Sequence, residues 1–218
     1  MHLSLEMNYP LNSKILAEVA NYYADKLDLH GATPRGVDWN SAEGQLLRFD
    51  QLDKIIDRVW GFSCNDIGCG YGALLDYLHQ KYSSFSYLGV DVSADMIRAA
   101  CQQHEGDQQA RFITASLPGQ VADYSIASGI FNVRLHFDDD EWMEYILYVI
   151  DNMNRLSRIG FAFNCLTSYS DEHLKRDNLY YADPCYLFDL CKRLYSKNVS
   201  LLHDYSLYEF TILVRKSL

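Results

Sequence analysis

The sequence predicts an α/β protein: a doubly wound, mainly parallel seven-stranded sheet with helices on both faces and a helical lid at the N-terminus. Three observations carry this. From residue 61 onward, short apolar runs alternate with amphipathic stretches at helical spacing, the pattern of strands joined through crossover helices. The glycine-rich turn Gly68-Cys69-Gly70-Tyr71-Gly72 stands between the first of those strands and the helix after it. The connection Tyr205-Ser206-Leu207 is too short for a parallel crossover, which needs about a dozen residues, so the last two strands run antiparallel.

Residues 11–29 read as an amphipathic helix, with Ile15, Val19, Tyr22, Tyr23 and Leu27 near helical spacing. Gly31-Ala32-Thr33-Pro34-Arg35-Gly36 breaks it. A second helix starts at Ser41, a plausible N-cap, and runs to Val59, with Leu46, Leu47, Phe49, Leu52, Ile55 and Ile56 as its apolar residues. Together residues 1–58 make the lid, and residues 59–218 the core. In the core the strands fall at 61–65, 86–90, 111–114, 124–128, 159–165, 199–204 and 208–215, and the helices at 73–82, 94–104, 139–156 and 184–195. The run Asp138-Asp139-Asp140-Glu141 suits the positive end of a helix dipole, and reads as a cap rather than a metal site. Residues 166–183 lie outside the alternation and join the lid as a second covering segment.

A length of 218 residues fits one α/β domain, or a domain with a small cap. The formal net charge is −10, and basic residues occur only in short pairs such as Lys192-Arg193 and Arg215-Lys216. A phosphate backbone needs clustered cations, so nucleic acid is disfavoured as a partner. None of the six cysteines forms a CxxC pair, so no metal is expected. Residues 1–20 hold no secretory apolar run, and no stretch approaches membrane-spanning length. The expected compartment is the cytoplasm, with reduced thiols, and the expected state a monomer or homodimer. Seventeen tyrosines can line a pocket with rings that also carry a hydroxyl.

Gly68, Gly70 and Gly72 follow a strand and precede a helix, where the backbone can approach a ligand closely. With Ala73 the same residues satisfy the dinucleotide fingerprint, so an NAD-binding oxidoreductase stays open. Asp91 ends the next strand, and its carboxylate can accept from both ribose hydroxyls of an adenosine ligand under either reading. Asp66, two residues before the first glycine, suits a ligand with an amino group and a sulfonium better than a pyrophosphate.

On these residues the chain resembles the class I, Rossmann-like S-adenosylmethionine-dependent methyltransferases. Asp66-Ile67-Gly68-Cys69-Gly70-Tyr71-Gly72 is similar to that family's first motif, and Tyr87-Leu88-Gly89-Val90-Asp91-Val92-Ser93-Ala94-Asp95-Met96 to its second. Asp123 through Phe131 resembles the fourth strand and the residues after it, which would place Ser128 and Gly129 at the donor. The resemblance implies strand order 3-2-1-4-5-7-6 with strand 7 antiparallel, S-adenosylmethionine as methyl donor and S-adenosylhomocysteine as product. It implies that Asp91 holds the ribose, that Val92 and Met96 flank the adenine, and that Ser116 or a backbone group replaces the family's acidic adenine contact. Ser128-Gly129-Ile130-Phe131 stands where the DNA- and protein-glutamine-modifying branches carry an Asn/Asp-Pro-Pro-aromatic motif, which points to a small-molecule acceptor. A protein or RNA acceptor is the alternative within the family.

The acceptor belongs above the C-terminal ends of the strands. After the fourth strand, Asn132 is a candidate to orient the acceptor and His136 a candidate general base. After the fifth, Asn164 is a similar candidate. Tyr180 and Tyr181 lie in a slot that the family often uses for substrate. Trp39, among polar residues after Pro34-Arg35-Gly36, is a candidate to close over the donor, where a ring gains attraction to a sulfonium. Arg48, on the following helix, is a candidate partner for the donor's carboxylate.

Overall fold

The computed structural model describes residues 13–58 and 61–216. Helix α1 spans Ser13–His30 and is followed by a 3-10 turn at Pro34–Val37 and helix α2 at Ala42–Asp53. Then come β1 (Phe62–Ile67), α3 (Ala73–Lys81), β2 (Phe85–Asp91), α4 (Ala94–Gln103), β3 (Ala110–Thr114) and β4 (Ala122–Ala127). Helix α5 (Asp139–Arg155), β5 (Ser157–Leu166), α6 (Pro184–Leu194), β6 (Asn198–Leu202) and β7 (Glu209–Arg215) complete the order.

The seven strands form one sheet in the order β3-β2-β1-β4-β5-β7-β6, and β7 is antiparallel to both its neighbours. The expected order and the reversed strand are both present. Register fixes the working edge. Ile67 lies beside Val90 and Ala127, so the chain leaves β1, β2 and β4 at one level. Reversal of β7 places its first residue, Glu209, beside Leu166 at the end of β5. A residue from the start of the last strand therefore sits at the same edge as loops that follow the parallel ones.

Two apolar layers hold the helices to the sheet. Phe49 and Leu52 of α2 and Leu74, Leu75 and Leu78 of α3 pack with Phe62, Tyr87, Tyr124 and Ile126 on one face. Trp142, Ile146, Val149 and Ile150 of α5 and Leu187 and Cys191 of α6 pack with Ile67, Val90, Phe161 and Phe163 on the other, where Ile15 of α1 joins them. Helix α5 starts as expected: the Asp138 side chain accepts from Glu141 N at 2.8 Å, with further acids in the first turn.

Helix α2 ends earlier than its apolar spacing suggests. The expected end at Val59 lies outside the described residues, as do positions 11 and 12 of the first expected helix, but the helix has already stopped at Asp53. Ile55 N donates to Leu52 O and Ile56 N to Asp53 O, three-residue closures that tighten the last turn. Arg215 takes the Lys54 carbonyl. Ile55 and Ile56 are buried as their spacing implies, but they reach the core from a turn.

Among the described residues, Trp142 is the largest fully buried side chain, and its Nε1 donates to the Phe131 carbonyl at 2.8 Å. Trp142→Ala is expected to lower stability by about 3–5 kcal/mol, as large-to-small changes at buried aromatics do. Urea unfolding measures this. A loss under about 1 kcal/mol, the size of an ordinary surface change, would show that α5 does not seat on that ring.

Candidate active site

The loops at the working edge surround a pocket of about 830 Å³, open solvent at its mouth included. Its floor is the glycine turn. Gly68 N and Cys69 N both donate to Val90 O, at 2.8 and 3.0 Å, which bends the chain sharply off β1. Gly68 has φ +72°, and a Cβ there would meet Ile130 at 2.2 Å, so this position admits only glycine.

Two carboxylates face this turn. Asp91 accepts from Gly70 N at 2.9 Å with one oxygen and from Ser93 N at 2.8 Å with the other. Each oxygen keeps capacity for a further donor. Burial raises the pKa of Asp91, and the N–H groups of Ser93 and Gly70 oppose that rise. Asp66 is buried and accepts the Tyr87 hydroxyl at 2.5 Å. Burial pushes its pKa up to about 7; the Tyr87 hydrogen bond pulls it down, and the nearby charge of Asp91 pushes it further up.

The roof comes from the N-terminal segment. Val19 and Tyr23 of α1, Val37 of the 3-10 turn, Trp39, and Gln45 and Phe49 of α2 all line the pocket. Asp38 ties the roof together. It has φ +60° and accepts the Tyr22 hydroxyl at 2.8 Å and Lys26 Nζ at 2.7 Å, joining the turn to α1. Arg176, from the segment after β5, lies 3.7 Å from the same carboxylate.

Of the residues expected at the donor site, Asp66, Gly68, Cys69, Gly70, Asp91, Val92, Met96, Ser116, Ser128, Gly129 and Trp39 line this pocket. Gly72 does not. It is the N-cap of α3 in a left-handed conformation, and faces His104. Arg48 does not either. Its Nε lies 2.9 Å from both oxygens of Glu209, its Nη2 lies 2.6 Å from one, and its guanidinium sits 3.9 Å over the Trp39 ring. Its charge is already matched, which removes it as direct partner of a ligand carboxylate.

The acceptor-side candidates are corrected in the same way. His136 is 64% exposed, stacks on Phe137 and lies 3.3 Å from Glu18, away from the pocket lining. It stands between α1 and the loop after β4, outside the lining of this pocket. Asn132 is buried, with its side-chain oxygen accepting from Leu166 N and its carbonyl from Tyr180 N, so it straps two loops. Asn164 accepts from Gly129 N at 2.8 Å and donates to Glu209 at 2.6 Å, and reaches the pocket only through Gly129. Tyr180 packs against the core, with burial pushing its hydroxyl up to about 12. The Tyr181 hydroxyl accepts from Arg176 N. Both tyrosines pack their loop down and neither lines the pocket.

Val19, Tyr23, Gln45, Phe49, Tyr71 and Glu209 were not singled out by sequence. Tyr23 and Val19 carried a signal, since a two-faced α1 has to cover something. Tyr71 lay inside the glycine motif without a role of its own, and Gln45 carried no signal: their buried hydrogen bond, 3.1 Å from Tyr71 OH to Gln45 Oε1, joins α2 to the glycine turn.

Known proteins share the sequence and the fold. A family model described as "Methyltransferase domain" matches residues 65–157. Over 164 residues the chain is 60% identical to a Mycobacterium tuberculosis protein named "Putative methyltransferase Rv1506c", covering 75% of this chain and 99% of that one. The crystal structure of magnesium protoporphyrin IX methyltransferase (ChlM) from Synechocystis PCC 6803 with bound SAM superposes with a TM-score of 0.64 at 16% identity, over 96% of this chain and all of that one. The N-methyltransferase NodS from Bradyrhizobium japonicum in complex with S-adenosylhomocysteine gives 0.61 at 14% identity, over 91% and 98%. At those identities the solved structures establish the shared fold.

Asp66 makes the ligand-free protein sensitive to pH. Its folded pKa of about 7 stands above an unfolded value of about 3.9. Its protonated form is the one folding favours, so its stabilising contribution is present at low pH and lost as pH rises towards about 7. Asp66→Asn is therefore expected to gain stability relative to the parent between about pH 4 and about pH 7. Thermal unfolding across that range checks it, and a constant difference would show that Asp66 ionises normally.

Proposed function

The chain belongs to the class I S-adenosylmethionine-dependent methyltransferases, and we propose that it methylates an oxygen or nitrogen of a small molecule in the cytoplasm. The observation that carries the small-acceptor reading is the roof. A pocket overhung by α1, the 3-10 turn and Trp39 suits a compact acceptor better than a protein surface or an RNA strand. The net charge of −10 also disfavours a polyanionic acceptor. Among described residues, no helix is long and apolar enough to cross a membrane.

The pocket fits the donor on its own features. Asp91 keeps acceptor capacity for the two ribose hydroxyls, and Asp66 is a carboxylate at the glycine turn for the amino group. The Ser128 hydroxyl is buried without a partner on the same wall. Gly68 leaves room for the Ile130 side chain, which lines the same pocket. Val92 and Met96 would flank the adenine, with Ser116 on the wall beside them.

When bound, the donor supplies an electrophilic methyl group, which an acceptor lone pair takes in line as S-adenosylhomocysteine leaves. What this chain supplies is placement and dryness. The glycine turn and the two carboxylates orient the donor, and the roof excludes water. Holding the reacting atoms in place is worth up to ~7–11 kcal/mol. Among the described residues, no histidine or lysine lines the pocket. Tyr23, which does, has its hydroxyl pushed far up, mainly by burial, so it is a poor base.

Isothermal titration with S-adenosylhomocysteine tests the reading. The parent is expected to bind it and not NAD. Asp91→Ala is expected to lose roughly 10- to 100-fold in affinity, the size of lost hydrogen bonds to a charged group, while His136→Ala binds as the parent does. Binding of NAD in place of S-adenosylhomocysteine would overturn the donor assignment, and unchanged affinity in Asp91→Ala would overturn the ribose contact.

A further inference from the structure

Five residues close a ring of contacts behind the pocket wall. Glu209 is 1% exposed, and both its oxygens are used by Arg48, one of them also by Asn164. The Arg48 guanidinium covers the Trp39 ring at 3.9 Å. The far edge of that indole lies against Gly129: a Cβ there would stand 2.3 Å from Trp39 Cζ2. Gly129 N donates to Asn164, which returns the ring to Glu209. Trp39 and Gly129 line the pocket, while Arg48, Glu209 and Asn164 do not.

A buried ion pair is a weak source of net stability, because desolvation offsets most of its attraction. Here it stands directly behind an aromatic wall, and charge there has a consequence. A cation over a ring face is attracted by the ring. An unmatched guanidinium behind that ring would repel a second cation on the pocket side, and Glu209 cancels it.

We propose that Glu209 is a positioning residue for the methyl donor: through Arg48 and Asn164 it holds Trp39 against Gly129, and by matching the guanidinium it keeps that wall open to a sulfonium. The proposal rests on the donor reading above. It separates two ligands that differ at the sulfur by one charge. S-adenosylmethionine carries a sulfonium there, and S-adenosylhomocysteine a neutral thioether.

The test is titration calorimetry of both ligands with the parent, Glu209→Gln, Arg48→Met and the double variant, with thermal unfolding of each ligand-free protein as the folding control. Glu209→Gln is expected to lose about tenfold more affinity for S-adenosylmethionine than for S-adenosylhomocysteine, the scale of one unmatched charge at an effective dielectric of about 20, partly screened by salt. The double variant loses the prop and leaves no charge, so both ligands are expected to weaken by the same factor; Arg48→Met alone leaves the Glu209 carboxylate unmatched, which carries no penalty for a sulfonium. Trp39→Phe and Arg48→Met are expected to be non-additive in S-adenosylhomocysteine affinity, since they break one contact. An unchanged ratio in Glu209→Gln overturns the proposal, and so do additive losses in the Trp39 and Arg48 pair. If Glu209→Gln does not fold, that pair alone decides. Failure of the parent to bind S-adenosylhomocysteine overturns the donor reading and this proposal with it; binding by the parent with either adverse result overturns this proposal alone.

Discussion

The Val90 carbonyl accepts two N–H groups from one turn, and the geometry of the pocket floor depends on that. Gly68 and Cys69 can both reach it only if the chain folds back on itself at the end of β1, which is why Gly68 takes a positive φ. The next N–H, that of Gly70, then meets the carboxylate of Asp91, the residue directly after Val90. One parallel strand pair thereby sets the loop and the acid that faces it. A shift of register by one residue would turn every side chain of β1 to the other face, Asp66 included.

The parts of this arrangement that were legible in the sequence are those held by short-range rules. The glycine turn, Asp66 and Asp91 lie within 26 residues and announce themselves by spacing after strands. The reversed last strand was legible because a short connection forbids a crossover. The early end of α2 was not, because Ile55 and Ile56 keep the apolar spacing of a helix while the backbone closes into tighter turns. Arg48 looked like a free cation near a ligand because its partner, Glu209, is 161 residues away in sequence. His136 and Asn132 stood on the right loop, but position on a loop does not determine where a side chain points. Glu18 and the Leu166 N–H claim them.

The roof depends on contacts of the same hidden kind. Asp38 holds α1 through Tyr22 and Lys26, and lies near Arg176 from the segment after β5. The N-terminal segment and the segment after β5 therefore meet at one carboxylate. Few of these contacts are buried deeply, in contrast to the sheet beneath them. Local stability follows buried apolar contact, so the roof is the part of the molecule expected to open first, while the floor stays formed.

The reversal of β7 also has a meaning in time. Arg48 is made early during synthesis, and Glu209 only when most of the described chain has been completed. Until the C-terminal hairpin docks, the guanidinium behind Trp39 has no carboxylate, and the Asn164 amide lacks one of its two partners. The glycine turn and Asp91 can form on a nascent chain from β1, β2 and their helices, but the wall opposite them cannot. If Glu209 plays the proposed role, full affinity for the donor is thus a property of the finished fold, completed only by the strand that runs backwards.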